Sequence, residues 1–328
     1  MTSILTQPIT GPSAWVAADF EGDESWINVL SDAEIEQIDA AVAKAKAAGV
    51  IYPEMAKGDI DFGFLEPKMA VWRAELESGR GFFLLRGLPI ERYSDDEINL
   101  IYYGLGLHMG SPVGQNPQGD LLGTVMAVAD PTKKETRVYQ TNLYLPYHTD
   151  PSDVVGLLCV RRAKTGGMSS LVSVASIYNR ILAEHRELLG LYYKQYWDGH
   201  LGNGKPMLTS IFSYNGGKLS CRYLRKYYEL GHELKELPLS TVEVEALDTF
   251  DAIMHAPEMR MDMMLEPGDI QFANNHAALH SRNDFEDHDD PAKMRKMLRL
   301  WLKMEDARTP GPEFPTRTRV LSAARVAD

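Results

Sequence analysis

Histidine and aspartate stand two residues apart in YHTD, as His148 and Asp150. In an extended segment, positions i and i+2 project to the same face, so an imidazole nitrogen and a carboxylate oxygen could reach one metal ion. The pair alone is a weak signal, because nine histidines and forty-six acidic residues produce such pairs by chance. A polar surface turn before Pro151 is the competing interpretation. The apolar run DVVGLLCV (153–160) favours a metal site at the mouth of a barrel, since it predicts a buried strand leading away from the pair.

Further ligands must come from a distant segment, and NNHAALHSR (274–282) offers His276 and His280. In a strand these two histidines share a face but lie well apart along it, so we expect only one of them to complete the site. Two histidines and one carboxylate that leave coordination positions open suit non-haem Fe(II) and oxygen chemistry. The spacing alone does not decide between the two histidines.

Two arginines, Arg295 and Arg299, interrupt the apolar run RKMLRLWL (295–302). At positions i and i+4 they face the same side of a strand. Burying a guanidinium is costly unless it meets an anion, and its fork shape suits a carboxylate bound through two hydrogen bonds. An edge strand with both arginines facing solvent is the alternative, but the apolar run favours burial.

Short apolar runs and helix-start signals predict the elements that position these residues. Serine followed by glutamate three residues later begins helices over 31–49, 94–106 and 240–256, and another helix is expected from about 175. Runs typical of strands lie, in chain order, at 81–90, 121–130, 136–145, 153–163, 212–224 (a hairpin around Asn-Gly-Gly), 261–282 and 293–305. This pattern predicts a mainly β fold with helical decoration and a jelly-roll core.

The bulk composition bounds the domain organisation and the partners. No repeat or composition shift divides the 328 residues, so we predict one domain (1–328) with a helical region at about 25–80, a core at about 81–305 and a tail at 306–328. The net charge of −12 argues against nucleic acid or an anionic membrane as a partner and leaves a small-molecule substrate. No feature marks an interface, so homo-oligomerisation stays open.

The cellular compartment is predicted from what the sequence carries. The N-terminus has no basic segment before an apolar run, and no window approaches 18 apolar residues, so neither a signal peptide nor a membrane span is expected. The two cysteines, Cys159 and Cys221, lack CxxC spacing. A reducing, cytoplasmic compartment is therefore the expectation.

Four motifs, taken in order, resemble the TauD/TfdA-like Fe(II)/2-oxoglutarate-dependent dioxygenases, a group that includes taurine dioxygenase and clavaminate-synthase-like enzymes. The motifs are HTD at 148–150, TGGMSS at 165–170, PGDIQFANNHAALHSR at 267–282 and RKMLRLW at 295–301. The resemblance implies a double-stranded β-helix, which agrees with the predicted jelly roll. It also implies Fe(II), 2-oxoglutarate and O₂ as cofactors and co-substrates, with succinate and CO₂ released.

The resemblance also assigns the iron ligands. His148 and Asp150 match the family's H-x-D pair, and the family's N-x-x-x-x-H-x-R pattern matches Asn275 and His280. These matches make His148, Asp150 and His280 the predicted catalytic and metal-binding residues. His276 becomes a bystander.

The resemblance further assigns the 2-oxoglutarate site. Arg295 matches the arginine that binds the distal carboxylate, and Arg299 matches a second arginine that contacts a carboxylate of co-substrate or substrate. Ser169 stands where the family has a threonine whose hydroxyl helps bind 2-oxoglutarate. Met168 departs from the family's aspartate at the preceding position.

The substrate is predicted only by class. Arg299 favours an anionic, carboxylate- or amino-acid-like molecule, and Asn142 and Tyr144 share the parity of His148 and are candidates for lining its pocket. The segment 212–228 either reaches the site or only covers the sheet. Acidic residues at 284–290 form either a lid or a solvated loop.

The presence of Asp150 narrows the expected reaction. Related halogenases lack this carboxylate, so the resemblance implies hydroxylation, desaturation or cyclisation of an unactivated C–H bond. Secondary metabolism of an amino-acid-derived substrate is one setting for such a reaction. The alternative function is a non-catalytic β-barrel sensor that binds a metal and a small acid.

Overall fold

A computed structural model describes residues 4–63, 65–116, 118–129, 138–199 and 205–314. In this part of the chain seven α-helices are present: α1 (Asp32–Ala47), α2 (Leu65–Ser78), α3 (Asp95–Met109), α4 (Val174–Glu184), α5 (Leu189–Tyr193), α6 (Arg225–Leu234) and α7 (Thr241–His255). The strands of the same part are β1 (Ile27–Val29), β2 (Phe82–Arg86), β3 (Ser111–Pro112), β4 (Leu122–Val125), β5 (Leu145–His148), β6 (Val154–Arg161), β7 (Thr165–Gly166), β8 (Ser169–Ser173), β9 (Gln195–Asp198), β10 (Met207–Ser210), β11 (Phe212–Asn215), β12 (Lys218–Cys221), β13 (Arg260–Met263), β14 (Ile270–Asn274), β15 (Ala278–Arg282), β16 (Phe285–Glu286) and β17 (Lys296–Lys303).

Two sheets form the centre of the fold. The major sheet has the order β1-β2-β14-β6-β17-β3, with β4 also paired to β17, and the minor sheet has the order β13-β8-β15-β5. All of these pairs are antiparallel except β1 with β2. The predicted jelly-roll core is confirmed, and its helical decoration is extensive, since helix, including 3₁₀ turns, makes up 35% and strand 25% of the described residues.

Side-chain alternation along the strands divides the core into three layers. On β2, Phe83 and Leu85 face the layer of α1, α2 and α3, whereas Phe82 and Leu84 face the space between the two sheets. A third cluster packs the minor sheet against α4 and α7. The two-residue period of a strand explains this sorting, because successive side chains point to opposite faces.

The same parity determines which polar residues of the major sheet face inward. On β17, Leu298 and Leu300 pack in the helical layer, while Met297 and Trp301 pack between the sheets. Arg299 shares the inward parity and is buried, at 7% exposed. The strand therefore carries its arginine into the interior of the sandwich.

The three helices predicted from serine–glutamate pairs are confirmed. Ser94, for example, accepts a hydrogen bond from the backbone N–H of Glu97, whose carboxylate accepts one from the backbone N–H of Ser94 at 2.8 Å. In the described residues no helix is both long and apolar enough to cross a bilayer. Strand β1 precedes the N-terminal helices yet pairs with β2 of the major sheet. We therefore propose that the helical region and the core form one domain.

The predicted strand over 136–145 is wrong for the part that the structure describes. A short 3₁₀ turn occupies Val138–Gln140, and extended structure begins only at Leu145. Thr141 donates both its backbone N–H and its hydroxyl to the carbonyl of Val138, at 3.0 and 2.8 Å. Such local bonds compete with a strand ladder, and residue type alone did not reveal them.

Candidate active site

The adjacent strands β5 and β15 bring the predicted metal ligands together. His148 and His280 lie directly opposite each other in the strand register, and Asp150 follows two residues after His148. One ligand atom from each residue lies within 4.8 Å of the other two. The nearest oxygens of Asp150 are 3.9 Å from Nε2 of His148 and 3.7 Å from Nε2 of His280. Three residues from two distant segments thus meet at one point.

His276 lies outside this group. It occupies the turn between β14 and β15, and its Nε2 is 3.2 Å from Oδ1 of Asp153. The turn breaks the strand in which His276 and His280 would have shared a face. Of the two histidines, the structure therefore places only His280 beside Asp150.

The two histidines of the group are in the protonation state that a metal requires. Nδ1 of His148 donates to the carbonyl of Pro146 at 2.8 Å, which leaves Nε2 with its lone pair. Burial lowers the pKa of His148, and burial together with the neighbouring His148 ring lowers the pKa of His280 to about 3. Both rings are therefore neutral near pH 7, and neutral imidazole is the ligand form.

Three groups hold the Asp150 carboxylate and its backbone. Nε1 of Trp301 donates to Oδ2 at 2.9 Å, Nη1 of Arg299 lies 3.7 Å from Oδ1, and the backbone N–H donates to Oδ1 of Asn275 at 2.9 Å. Burial acts to raise the pKa of Asp150, but Arg299, His280 and the other neighbours outweigh it and lower the pKa. An ionised carboxylate with two neutral imidazoles is a donor set that fits a divalent iron ion.

Trp301 offers a test of how the carboxylate is held. Trp301→Phe keeps an aromatic ring but removes the N–H that bonds Asp150, so we expect Fe(II) affinity to fall about 10–100-fold, as for other partners of metal ligands. Anaerobic Fe(II) titration measures this change. Trp72→Phe is the matched control, because Nε1 of Trp72 bonds Asn28 in the helical layer. Equal losses in the two variants would argue against a specific effect at Asp150.

A small cavity of about 40 Å³ lies beside the three residues and is lined from both sheets by His148, His280, Ser169, Arg295 and Arg299, among others. Arg295 is 6% exposed, and its Nη1 has no hydrogen-bond partner among the described residues. Burial lowers the pKa of Arg295. A buried guanidinium with an unpaired donor, facing a cavity, fits an anionic ligand.

Glycine is required where the chain passes Arg295. Gly167 has φ of +77°, and a Cβ there would lie 3.4 Å from Nε of Arg295.

Phe285, from the acidic segment 284–290, packs its ring 5.2 Å from the Arg295 guanidinium, and Asp287 accepts the backbone N–H of Arg295 at 2.7 Å. Part of the acidic segment is therefore packed against Arg295.

Gln115 positions Arg299 and was missed by sequence reasoning. Its Oε1 accepts from Nε of Arg299 at 2.8 Å, and its Nε2 donates to the Arg299 carbonyl at 2.7 Å. The guanidinium also packs 4.8 Å from the ring of Tyr139 and 4.5 Å from the ring of Trp301. Gln115 lies in a loop, far away in sequence, and no motif identifies it.

A second cavity, of about 130 Å³, adjoins the same residues. His148, Asp150 and Arg299 line it together with residues from the segment 222–228. The backbone N–H of Thr149 donates to the carbonyl of Tyr223 at 3.0 Å, so this segment is joined directly to the HTD motif. The open question about 212–228 is thereby resolved, because its second half reaches the site.

Asn142 and Tyr144, predicted to line the substrate pocket, lie away from the two cavities described above. Neither is among the residues that line the two cavities. Asn142 donates to the carbonyl of Phe285 at 3.2 Å, and the 41% exposed Tyr144 has its hydroxyl 2.9 Å from Nε2 of His255. Strand β5 begins only at Leu145, so Asn142 and Tyr144 do not share a continuous strand with His148.

Ser169 and Arg299, the remaining predicted residues, both line these cavities. Ser169 is buried on β8 and lines the small cavity with Arg295. Arg299 lines both cavities and so stands at their junction. Of the other histidines, His200 lies outside the described residues, and His108, His232 and His255 bond groups elsewhere in the fold.

Comparison with known proteins identifies the family. Residues 46–301 match the family described as "Taurine catabolism dioxygenase TauD, TfdA family". The chain is 35% identical to the FR-33289 synthase of Streptomyces rubellomurinus (strain ATCC 31215), over 96% of this chain and 95% of that protein.

Solved structures of other oxygenases share the fold. An asparagine oxygenase in complex with Fe(II), 2S,3S-3-hydroxyasparagine and succinate has a TM-score of 0.68 at 17% identity, covering 85% of this chain and 93% of that one. The non-heme iron oxygenase OrfP in complex with Fe and alpha-ketoglutaric acid has a TM-score of 0.61 at 15% identity, covering 84% and 94%. With the family match over most of its length, this chain belongs to the TauD/TfdA family of dioxygenases and is an Fe(II)/2-oxoglutarate-dependent oxygenase.

Proposed function

We propose that this oxygenase oxidises an unactivated C–H bond of a small, anionic, carboxylate- or amino-acid-like substrate by hydroxylation, desaturation or cyclisation. Succinate and CO₂ are the co-products. The observation that carries the proposal is the buried Arg295, which lines a cavity together with His148 and His280 and whose Nη1 has no hydrogen-bond partner among the described residues. A cation buried in this way next to a three-ligand group has the chemistry of a 2-oxoglutarate pocket.

The predicted metal ligands and 2-oxoglutarate-binding residues each have a role in this proposal. His148, Asp150 and His280 would hold Fe(II), which supplies the redox chemistry with O₂. Arg295 and Ser169 would bind the distal carboxylate of 2-oxoglutarate. Three protein ligands leave coordination positions open, which catalysis at the metal requires.

Arg299 would act on both sides of the junction between the cavities. Gln115 and the two flanking rings restrict its guanidinium, and its Nη1 faces Asp150. In this position it stabilises the ionised ligand carboxylate. It is also available to an anionic group of the substrate or co-substrate in either cavity.

Charge in the larger cavity supports an anionic substrate. Arg222, Lys226 and Arg299 line it, against the carboxylates of Asp150 and Asp198. With Asp150 assigned to the metal, three cationic side chains and one carboxylate remain in this cavity. Its local charge is therefore positive, although the chain as a whole carries a net charge of −12. The hydroxyasparagine and hydroxyarginine bound in structures of two relatives are amino acids, which supports the same class of substrate.

A substrate screen tests the proposal. Protein loaded with Fe(II) and 2-oxoglutarate under air should form succinate faster with some members of a panel of small carboxylates and amino acids than with their carboxamide counterparts. Stimulation by the carboxamides alone would contradict an anionic substrate. The sensor alternative is not favoured, because the family is one of enzymes. Metal loading without any succinate formation would revive it.

The compartment remains a proposal as well. Cys159 and Cys221 are both buried free thiols, and burial raises the pKa of each, to about 12 for Cys159. Thiols of this kind are compatible with a reducing cytoplasm.

A further inference from the structure

Gln271 is a buried polar residue that the assigned roles do not use. It lies on β14, 1% exposed, in register with Leu84 of β2 and Leu157 of β6. Its neighbours Ile270 and Phe272 point into the helical layer, so the two-residue period turns Gln271 inward. There it lines the small cavity together with Arg295.

The Gln271 carboxamide lacks the partner that burial normally requires. Within the part of the chain that the structure describes, its Oε1 has no hydrogen-bond partner, and neither does Nη1 of Arg295. An acceptor and a donor are therefore both unsatisfied at one small cavity. Buried polar groups are nearly always paired, and exceptions call for a ligand or another specific cause. An apolar residue would fit the middle of this strand without that cost.

We propose that Gln271 is a further binding residue for 2-oxoglutarate, acting with Arg295 on the distal carboxylate. This inference rests on the proposed function of the small cavity. A carboxylate cannot satisfy Oε1 itself, so the Gln271 amide nitrogen donates to the carboxylate, and Oε1 accepts from a nitrogen of Arg295 other than Nη1, which is left to the ligand. A carboxylate offers only acceptors, so it needs donors from both side chains.

A neutral carboxamide suits this role better than an acid. It adds a donor without neutralising Arg295, whose charge remains available to the ligand. A glutamate of the same size would pair with Arg295 and repel the incoming carboxylate. The affinity for 2-oxoglutarate should therefore differ sharply between Gln271→Leu, which only removes hydrogen bonds, and Gln271→Glu, which also adds a negative charge.

Anaerobic calorimetric titration of 2-oxoglutarate into the Fe(II)-loaded full chain tests the inference without turnover. We expect Gln271→Leu to weaken binding about 10-fold or more, the effect of losing a hydrogen bond to a charged group, and Gln271→Glu to weaken it further. Ile270→Leu is the matched control, since it alters the same strand on the opposite face, and it should bind like the native protein. Native-like affinity in Gln271→Leu would overturn the inference.

Two further readouts separate binding from folding. Without ligand, Gln271→Leu should melt at or above the native temperature, because it removes an unsatisfied buried group, while the stabilisation gained from 2-oxoglutarate should shrink. A lower melting temperature with full ligand stabilisation would indicate a structural role and overturn the inference. If Gln271→Leu fails to fold, Gln271→Met takes its place in the same measurements.

A shorter ligand localises the effect to the distal carboxylate. 2-Oxobutyrate keeps the 2-oxo acid group but lacks that carboxylate, so its binding should be the same in the native protein and in Gln271→Leu. An equal loss for both ligands would overturn the distal assignment. Failure of the native protein to bind 2-oxoglutarate would instead overturn the proposed function, which keeps the two failures distinguishable.

Discussion

His280→Ala should abolish tight Fe(II) binding and, with it, all 2-oxoglutarate turnover, whereas His276→Ala should retain both. His280 is one of only three side chains in the group, and its Nε2 lies 3.7 Å from the carboxylate of Asp150. Losing a direct ligand should cost more than the roughly 10–100-fold affinity loss typical of its outer partners. Anaerobic Fe(II) titration and metal analysis of the two purified variants measure the difference.

His276→Ala is a demanding control because it also removes a buried histidine from the same segment. It breaks the contact with Asp153, so its stability should fall while its metal content does not. Thermal melting of both variants separates the two effects. Retention of iron in His280→Ala, with its loss in folded His276→Ala, would refute the choice of ligand.

Arg295→Ala should weaken 2-oxoglutarate binding about 10–150-fold, which corresponds to the 1.5–3 kcal/mol of a charged hydrogen-bond partner. Arg295 has a free Nη1 at the small cavity, and no described side chain satisfies that atom. Fe(II) content should stay unchanged, because Arg295 does not contact the three ligands in the described structure. Anaerobic titration of 2-oxoglutarate, with metal analysis of the same sample, measures both quantities.

Arg295→Lys refines this test by separating charge from shape. Lysine restores the positive charge but not the planar fork of the guanidinium, so its affinity should lie between those of Arg295→Ala and the native protein. If Arg295→Ala bound 2-oxoglutarate as tightly as the native protein does, Arg295 would have no role in binding the carboxylate.

Local sequence patterns predicted much of the fold. Serine–glutamate pairs such as Ser240 and Glu243 determine helix starts through short-range hydrogen bonds, so four residues of sequence suffice to reveal them. Strand parity was equally informative, because the two-residue period places Arg299 on the inner face of β17. The H-x-D pair showed two of the three grouped residues, and the family resemblance selected His280 as the third.

The rest depended on contacts between distant segments. Gln115 reaches Arg299 across 184 positions, and the segment around Tyr223 joins the HTD motif through Thr149. No local period encodes such contacts. The strand predicted over 136–145 was wrong for the opposite reason, since a local turn around Thr141 overrode the strand that the residue types there favoured.

Oxygenation at the His148, Asp150 and His280 site is tested most directly by turnover under ¹⁸O₂ with Fe(II) and unlabelled 2-oxoglutarate, followed by mass analysis of the succinate. In a 2-oxoglutarate-dependent oxygenation one atom of O₂ enters the new carboxylate of succinate as CO₂ leaves, and the other atom goes to the substrate or to water. We expect succinate carrying one ¹⁸O from the native protein, and no succinate from His280→Ala. Unlabelled succinate, or none from native protein with full iron loading, would contradict oxygenation at this site.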